Sequence, residues 1–360
     1  MEKSKLINVS KIDSTKNEAS TEKDVKEIDN KVALLATSGI TFLLSILFIR
    51  TYLFVKKEGK KYEGLNYYIS QQNFFCDNIH FLYKTEIEDQ VDLYNTSLNG
   101  IWFEMFLYKE NDYMSNVLQK NQNFQPNATL NMLNALNDFA EKNNIKNNKS
   151  IVMIDIDGNV GWYATFLGSY RYTIITFEPD PINYYILNKN YCRNNRDIFG
   201  NSSSIIIVNE GLHTEKRHCD YYRNLKHDEY NIMRCNKKGI DIPKKFNKTY
   251  EVNVTKLSKF IPLLKDKNIT LIRINTEVEG VKAIESGKEL ITQLHVPYVF
   301  IEFSRRSFEY QKDKQMEFLN FFTSNNYGIS LIDFKNDYIS VEKLMKKEFD
   351  FILLYLTYIK

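Results

Sequence analysis

Alternating blocks of apolar and polar residues run through the carboxyl-terminal part of the chain. From residue 150 onward, short apolar runs rich in Val, Ile and Phe recur, and amphipathic segments separate most of them. Such short runs are typical of buried strands, and the longer amphipathic segments are typical of helices. The predicted strands are 151–155, 173–177, 204–209, 271–275, 298–303, 328–333 and 350–356. The predicted helices are 129–142, 161–168, 181–195, 279–293 and 311–325.

The alternation of buried strands with helices predicts an α/β fold with a mostly parallel sheet. Because strand–helix–strand crossovers are right-handed, we expect a doubly wound, seven-stranded Rossmann-like sheet. The last two predicted strands follow each other without a strong helix, which favours an antiparallel hairpin at the sheet edge. Residues 212–248 are polar, basic and aromatic and show no strand pattern. They read as a long insertion after the third strand, where a substrate loop can lie.

The amino-terminal part has a different pattern. Residues 1–31 are polar and free of aromatics, which is the composition of a disordered tail. Residues 32–55 are almost uncharged and long enough to cross the hydrocarbon core as a single transmembrane helix. We therefore divide the chain into a tail, this transmembrane helix, a polar stem (56–99) and a folded α/β domain (100–357).

Two signals disagree on which side of the membrane the domain lies. More Lys and Arg residues follow the predicted span than precede it, which favours a cytosolic domain. Asn-x-Ser/Thr sequons favour a glycosylated domain in the lumen of the ER or Golgi. After the predicted span, the sequons begin at Asn95, Asn127, Asn148, Asn201, Asn247, Asn253 and Asn268. We expect the luminal orientation, and the cytosolic one stays open.

Composition narrows the classes of function. The net charge is only +3, and no Lys/Arg block is interleaved with aromatics, so nothing indicates a nucleic-acid partner. Four cysteines occur without C-x-x-C spacing, which predicts neither a zinc site nor a dense disulfide framework. We expect unpaired thiols, with a Cys219–Cys235 bridge as the alternative, and we predict no metal site.

The loop Asp155–Gly161 (DIDGNVG) follows the first strand of the predicted sheet. In a doubly wound sheet this loop lies at the switch point, where ligands bind. Gly158 and Gly161 allow close approach of the backbone, and a helix begins after them. Glu178 ends the next strand, at the spacing of about 20 residues expected for an acid that binds ribose hydroxyls. Together these features predict a nucleotide-type cofactor site.

The segment from this loop through FEPDPINYYILNKNYCRNN resembles the FkbM-type S-adenosylmethionine-dependent methyltransferases. The matching residues are Asp155, Asn159, Gly161, Phe177, Glu178, Pro179, Leu187, Asn190 and Asn194. Weaker matches extend the resemblance to about residues 100–356. The sequence departs from the family pattern at Asp157, which replaces the first glycine of the family's loop, and at Gly158, which replaces its alanine. It departs again at Arg273-Ile274-Asn275, which replaces the family's Lys-Ile-Asp.

The resemblance implies an O-methyltransferase that uses S-adenosylmethionine and a hydroxyl acceptor, on a sugar or glycoconjugate. It places the cofactor among Asp155, Asp157, Gly158, Asn159, Gly161, Glu178, Pro179, Asn209 and Glu210. The candidate catalytic bases are Glu277, Glu279 and His213, whose side chains can accept a proton from an alcohol. Each also has a plainer interpretation: the glutamates as helix caps, and His213 as a solvated loop residue.

Two other functions stay open. Asp157 and Asn275 are compatible with a degenerate methyltransferase fold that only binds a ligand. The run IVMIDIDG also resembles the first motif of haloacid-dehalogenase-like phosphatases, in which two aspartates and Mg²⁺ act on a phosphate. That reading leaves the Phe177-Glu178-Pro179 segment and its helix unexplained.

Overall fold

The structure, a computed structural model, describes most of the chain after residue 64. The described residues are 65–82, 87–110, 112–194, 204–224, 231–235, 246–275, 280–335 and 337–360. They belong to one unit, Gly64–Lys360. The predicted tail, the predicted span 32–55 and the start of the predicted stem lie outside these ranges. Within the described ranges, no helix is both long and apolar enough to span a bilayer.

The elements are numbered in chain order. The strands are β1 (Val91–Leu98), β2 (Ile101–Tyr108), β3 (Ile151–Ile156), β4 (Thr173–Phe177), β5 (Ser204–Val208), β6 (Gly211–Leu212), β7 (Arg217–Asn224), β8 (Ile232–Arg234), β9 (Phe246–Thr255), β10 (Asn268–Asn275), β11 (Tyr298–Ser304), β12 (Tyr327–Ser330) and β13 (Phe351–Tyr358). The α-helices are α1 (Leu65–Leu82), α2 (Tyr113–Asn121), α3 (Pro126–Lys142), α4 (Trp162–Ser169), α5 (Pro181–Tyr191), α6 (Gly280–Glu285), α7 (Glu289–Thr292), α8 (Lys312–Thr323) and α9 (Val341–Leu344).

The main sheet has seven strands in the order β5-β4-β3-β10-β11-β13-β12. Strands β5, β4, β3, β10 and β11 run parallel to one another, and β13 pairs antiparallel with both β11 and β12. The strand order reverses between β3 and β10, so the switch point lies there. The predicted doubly wound sheet is confirmed. The predicted antiparallel pair of the last two strands at the sheet edge is also confirmed, with β12 outermost and β13 between β12 and β11.

Each central strand contributes to two cores, one on each face of the sheet. On β3, Ile151 and Met153 pack into one apolar cluster, whereas Val152 and Ile154 pack into the other. This alternation follows from the two-residue period of a strand. Both faces are covered, which is why these strands are continuous apolar runs in the sequence.

Strands β6 to β9 form a second sheet where the sequence pattern predicts an irregular insertion. Its strand order is β6-β9-β7-β8, and we call it the inserted sheet. The prediction of an irregular insertion is therefore wrong. The inserted sheet buries only a small cluster, so polar and charged residues dominate its strands and the sequence shows no apolar strand pattern. The cluster comprises Cys219, Tyr221, Met233, Cys235, Val252 and Val254.

The segment predicted as a stem contributes folded structure. Helix α1 packs beside β5, the strand at one end of the main sheet, and the buried Gln72 side chain accepts a hydrogen bond from the Ile207 backbone N–H at 3.3 Å. Strands β1 and β2 pair as an antiparallel hairpin. The compact unit therefore begins within the predicted stem.

All four cysteines are paired, as Cys76–Cys192 and Cys219–Cys235. The expectation of unpaired thiols is therefore wrong, and the alternative bridge is present together with a second one. The spacing alone could not reveal Cys76–Cys192, because these residues are 116 positions apart and meet only when α1 packs on α5.

Removing the long-range disulfide should cost more stability than removing the short one. In the chain-entropy model, a bridge that closes about 100 residues stabilises by about 4.7 kcal/mol, against about 3 kcal/mol for about 15 residues. We expect Cys76→Ser/Cys192→Ser to lower the urea midpoint more than Cys219→Ser/Cys235→Ser, which is its matched control. The reverse order would contradict this assignment.

Candidate functional site

The loop between β3 and α4 turns tightly against the end of β4. The backbone N–H groups of Asp157 and Gly158 both donate to the Phe177 carbonyl, at 3.1 and 3.0 Å. A side chain at Gly158 would overlap the hydroxyl of Thr176 on β4. Gly161, which precedes α4, has φ +91°, a conformation that favours glycine. Gly158 therefore lets the loop lie close to β4, and Gly161 provides the turn that precedes α4.

Asp155 lies beneath this loop and is fully buried. Its carboxylate accepts from the Thr176 hydroxyl at 3.1 Å on one side and from the Arg273 guanidinium at 3.1 Å on the other. Burial raises the pKa of Asp155, and the Arg273 charge opposes that rise. Thr176 on β4 and Arg273 on β10 are its direct partners across the sheet, so strand register creates this contact.

Arg273 is the centre of the buried polar network. Its guanidinium also donates to Glu302 on β11, at 2.9 and 2.5 Å, and lies 4.7 Å from the centre of the Tyr163 ring. It donates to the backbone carbonyl of Asp157 as well, at 2.5 Å. One side chain thus joins three strands and the loop.

Asp157 and Asn275, two of the residues that differ from the family pattern, contact each other. The Asn275 side-chain amide donates to a carboxylate oxygen of Asp157 at 2.9 Å. Burial raises the pKa of Asp157 to about 6, although the charge of Arg273 opposes the rise. The loop residue and the residue at the end of β10 therefore form a matched pair.

Glu178, at the end of β4, is connected directly to the loop. One carboxylate oxygen accepts from the Asn159 backbone N–H at 2.7 Å, and the other accepts from the Asp180 backbone N–H at 2.9 Å. Glu178 is fully buried, and burial raises its pKa, as do the charges of Asp157 and Asp180. The predicted acid and the predicted loop therefore form one site.

The two residues that follow Glu178 are also buried, and they lead directly into helix α5. Pro179 is buried between Glu178 and Asp180, and Asp180 caps α5 by accepting from the Ile182 N–H at 2.8 Å. The exposed Asn209 donates to the Glu178 backbone carbonyl at 2.9 Å. Asn209, one of the predicted cofactor residues, therefore lies beside Glu178.

Two other predicted residues, His213 and Glu210, have charged neighbours outside the Asp157–Glu178 cluster. His213 follows β6, and burial lowers its pKa, as do the charges of Arg217 and Lys282. These charged neighbours belong to the inserted sheet and α6 rather than to the Asp157–Glu178 cluster. Glu210 lies 3.7 Å from the Lys259 ammonium. Glu277 and Glu279 lie outside the described residues.

Two asparagines of the predicted motif anchor helix α5. The side chain of Asn190 accepts from the Phe106 N–H of β2 at 2.6 Å and donates to the Val160 carbonyl of the loop at 2.8 Å. The side chain of Asn194 accepts from the Glu104 N–H of β2 at 3.1 Å. These residues therefore tie the loop and the β1–β2 hairpin to α5.

Sequence reasoning missed several members of the site. Tyr163 packs on Arg273 from α4, while Tyr221 and Arg223 reach the site from the inserted sheet. Of the polar residues in this network, Arg273 could have been recognised from the sequence. It is a cation inside an apolar strand, and a buried charge requires a partner of opposite charge. Within the described ranges, no group of His, Cys, Asp and Glu side chains is arranged to hold a metal ion.

Comparisons with known proteins give structural similarity only. No protein-family model and no curated protein matches the chain. A SAM-dependent methyltransferase from Agrobacterium tumefaciens aligns at TM-score 0.38 and 7% identity, over 74% of this chain and 70% of that one. The N-terminal domain of human METTL16 in complex with SAH aligns at TM-score 0.33 and 11% identity, over 79% of this chain and 94% of that one.

A third similar structure is P. horikoshii TYW2 in complex with MeSAdo, at TM-score 0.33 and 11% identity, over 76% of this chain and 72% of that one. Similarity at this level carries no conclusion on function. The function proposed below rests on the chain's own residues.

Removing the Arg273 charge should destabilise the domain strongly. Arg273→Met leaves Asp155 and Glu302 buried without their cation, a change that typically costs about 3–5 kcal/mol. The matched control is Lys282→Met, which breaks an exposed ion pair with Glu285 and should cost less than about 1 kcal/mol. Urea unfolding measures both changes, and similar midpoints would refute the central role of Arg273.

Proposed function

We propose that the chain is an S-adenosylmethionine-dependent O-methyltransferase of the FkbM type, anchored in a membrane, that methylates a hydroxyl of a sugar or glycoconjugate. The observation that carries the proposal is the 2.7 Å hydrogen bond from the Asn159 N–H to Glu178. It joins the glycine-containing loop to the acid of the next strand beside the switch point, where doubly wound folds bind cofactors.

The charge of the site fits this cofactor. Asp155, Asp157 and Glu302 surround the guanidinium of Arg273, and Glu178 lies near Asp157. S-adenosylmethionine carries a sulfonium and an ammonium, and a cation is favoured beside carboxylates. When bound, it supplies a methyl group activated on the sulfonium.

The residues of the chain would bind and orient the two reactants. Glu178 would accept from the ribose hydroxyls, because each of its oxygens keeps a second lone pair beside the backbone N–H it already binds. Asp155, Asp157, Gly158, Asn159 and Gly161 would surround the methionine part. Pro179, Asn209 and Glu210 would lie towards the adenine. Since Glu178 is fully buried, binding requires the surrounding side chains to move.

An alcohol acceptor also needs a base within hydrogen-bond reach. We propose Glu277, Glu279 or His213 for this role. The lowered pKa of His213 keeps its imidazole neutral near pH 7 and able to accept a proton. The two glutamates follow β10 in the sequence.

A degenerate methyltransferase fold that only binds a ligand is the second candidate. The full burial of Glu178 and the engagement of the loop by Arg273 and Asn275 favour it. Capture of a glycan without cofactor binding would support it, and transfer of labelled methyl groups would exclude it. The phosphatase alternative is disfavoured, because Asp155 is buried and paired with Arg273 rather than available as a nucleophile.

Calorimetric titration with S-adenosylmethionine tests the proposal directly. We expect binding by the wild type, and Glu178→Ala should weaken it by about 1–3 kcal/mol, because an acceptor for the ribose hydroxyls is lost. Glu285→Ala is the matched control, since Glu285 is exposed and pairs with Lys282. Equal affinity of the wild type and Glu178→Ala would remove Glu178 from the site.

We further propose that the domain lies in the lumen of the ER or Golgi, with the span 32–55 as its anchor. Two disulfides support this location, because disulfides persist mainly in oxidising compartments. The charge balance around the predicted span favours the opposite orientation. The orientation therefore needs its own test.

Glycosylation provides that test. The sequon asparagines Asn95 and Asn247 are exposed on strands, whereas Asn148 is partly buried and donates to the Tyr170 carbonyl at 3.0 Å. We expect endoglycosidase treatment to increase the gel mobility of the expressed protein. Asn95→Gln or Asn247→Gln should reduce the shift, and the control Asn148→Gln should leave it unchanged. An unglycosylated chain that protease digests in intact microsomes would instead show a cytosolic domain.

A further inference from the structure

Arg223, on β7 of the inserted sheet, reaches out of that sheet into the candidate site. Its guanidinium donates twice to one oxygen of the Asp180 carboxylate, at 2.9 and 2.7 Å. It also donates to the Tyr108 hydroxyl at 3.2 Å, and that hydroxyl donates to Asn183 at 2.7 Å. The Asp180 side chain is fully buried, so Arg223 neutralises a charge that water cannot solvate.

Asp180 passes this contact on to the cofactor loop. Its backbone N–H donates to one oxygen of Glu178, and the other oxygen of Glu178 accepts from the Asn159 N–H. The other carboxylate oxygen of Asp180 caps the first turn of α5. An unbroken chain of contacts therefore runs from the inserted sheet through Asp180 and Glu178 to the loop.

The charged groups in this chain of contacts also affect the protonation of Glu178. Asp157 and Asp180 are the negative charges that act on Glu178, and Tyr221 of β7 lies near all three. Two carboxylates so close to Glu178 favour its neutral, protonated form. By pairing with Asp180, Arg223 offsets one of these charges and favours the ionised form.

We propose that Arg223 is a positioning residue that holds Asp180, and through it the Glu178 carboxylate, in the arrangement that binds the cofactor ribose. The ligand named here rests on the proposed function, but the positioning role does not. The inserted sheet is then part of the cofactor site rather than an acceptor loop alone.

Three variants test the role. Arg223→Gln leaves the buried Asp180 charge uncompensated and should weaken S-adenosylmethionine binding by at least about tenfold. Adding Asp180→Asn removes that charge while keeping a helix-capping oxygen, so the double variant should return to within about threefold of the wild type. The control Lys248→Gln breaks an ion pair with Asp220 in the same inserted sheet and should bind as the wild type does.

The pH profile separates positioning from a general loss of stability. The groups that face Glu178 are Asp157, Asp180, Tyr221 and, through Asp180, Arg223. In Arg223→Gln the pH above which the cofactor binds should rise, because Glu178 stays protonated to higher pH, and the double variant should reverse the rise. A weaker affinity with an unchanged profile and no reversal would mean a merely structural role and overturn the proposal. Unchanged or tighter binding by Arg223→Gln would overturn it as well.

A measurement without ligand keeps the proposal testable if the wild type binds no S-adenosylmethionine. The Asn159 and Asp180 amides donate to Glu178, so their hydrogen exchange reports how firmly that carboxylate is held. We expect faster exchange in Arg223→Gln, recovery in the double variant and no change in Lys248→Gln. Wild type without cofactor binding but with this exchange pattern would refute the proposed function alone. Unchanged exchange in Arg223→Gln would refute the positioning role alone.

Discussion

The rest of the site depends on one buried cation, the Arg273 guanidinium. It lies at the switch point of the sheet and bonds Asp155 on β3, Glu302 on β11 and the backbone of the loop that follows β3. In a medium that solvates charge poorly, the guanidinium and its carboxylates can be buried only together. That mutual requirement fixes the register of three strands at the point where the loop begins, and it sets the position of Asp157. The loop conformation is thus a consequence of charge pairing in the sheet below it.

The main sheet could be predicted from the sequence because its strands are buried on both faces, which makes each a continuous apolar run. The loop and Glu178 could be predicted because their spacing along the chain is short and characteristic. The inserted sheet could not, since it buries one small cluster and its strands are mostly polar. Arg223 and Tyr221 were missed because they belong to this inserted sheet, and their contacts with the site form only when the two sheets pack together. Cys76 and Cys192 were missed because only the packing of α1 on α5 brings them together.

The departures from the family pattern illustrate how substitutions have to be read in space. Considered separately, Asp157 in a glycine position and Asn275 in an aspartate position both suggest a loss of cofactor binding. In the folded chain they are hydrogen-bond partners, and Arg273 bonds the backbone of the same aspartate. Their effect on a ligand is therefore a property of the group of three, because neighbouring residues that share contacts do not act additively.

The position of Gln72 has a consequence for the outer edge of the main sheet. An end strand such as β5 has free hydrogen-bonding groups on its outer side and can recruit a strand from another chain. The Gln72 side chain occupies one of these groups, the Ile207 N–H, and helix α1 lies along the same strand. A fragment that starts after α1 would expose this border of the sheet, together with an unpaired Cys192. Helix α1 thus protects this edge of the sheet against pairing with a strand of another chain.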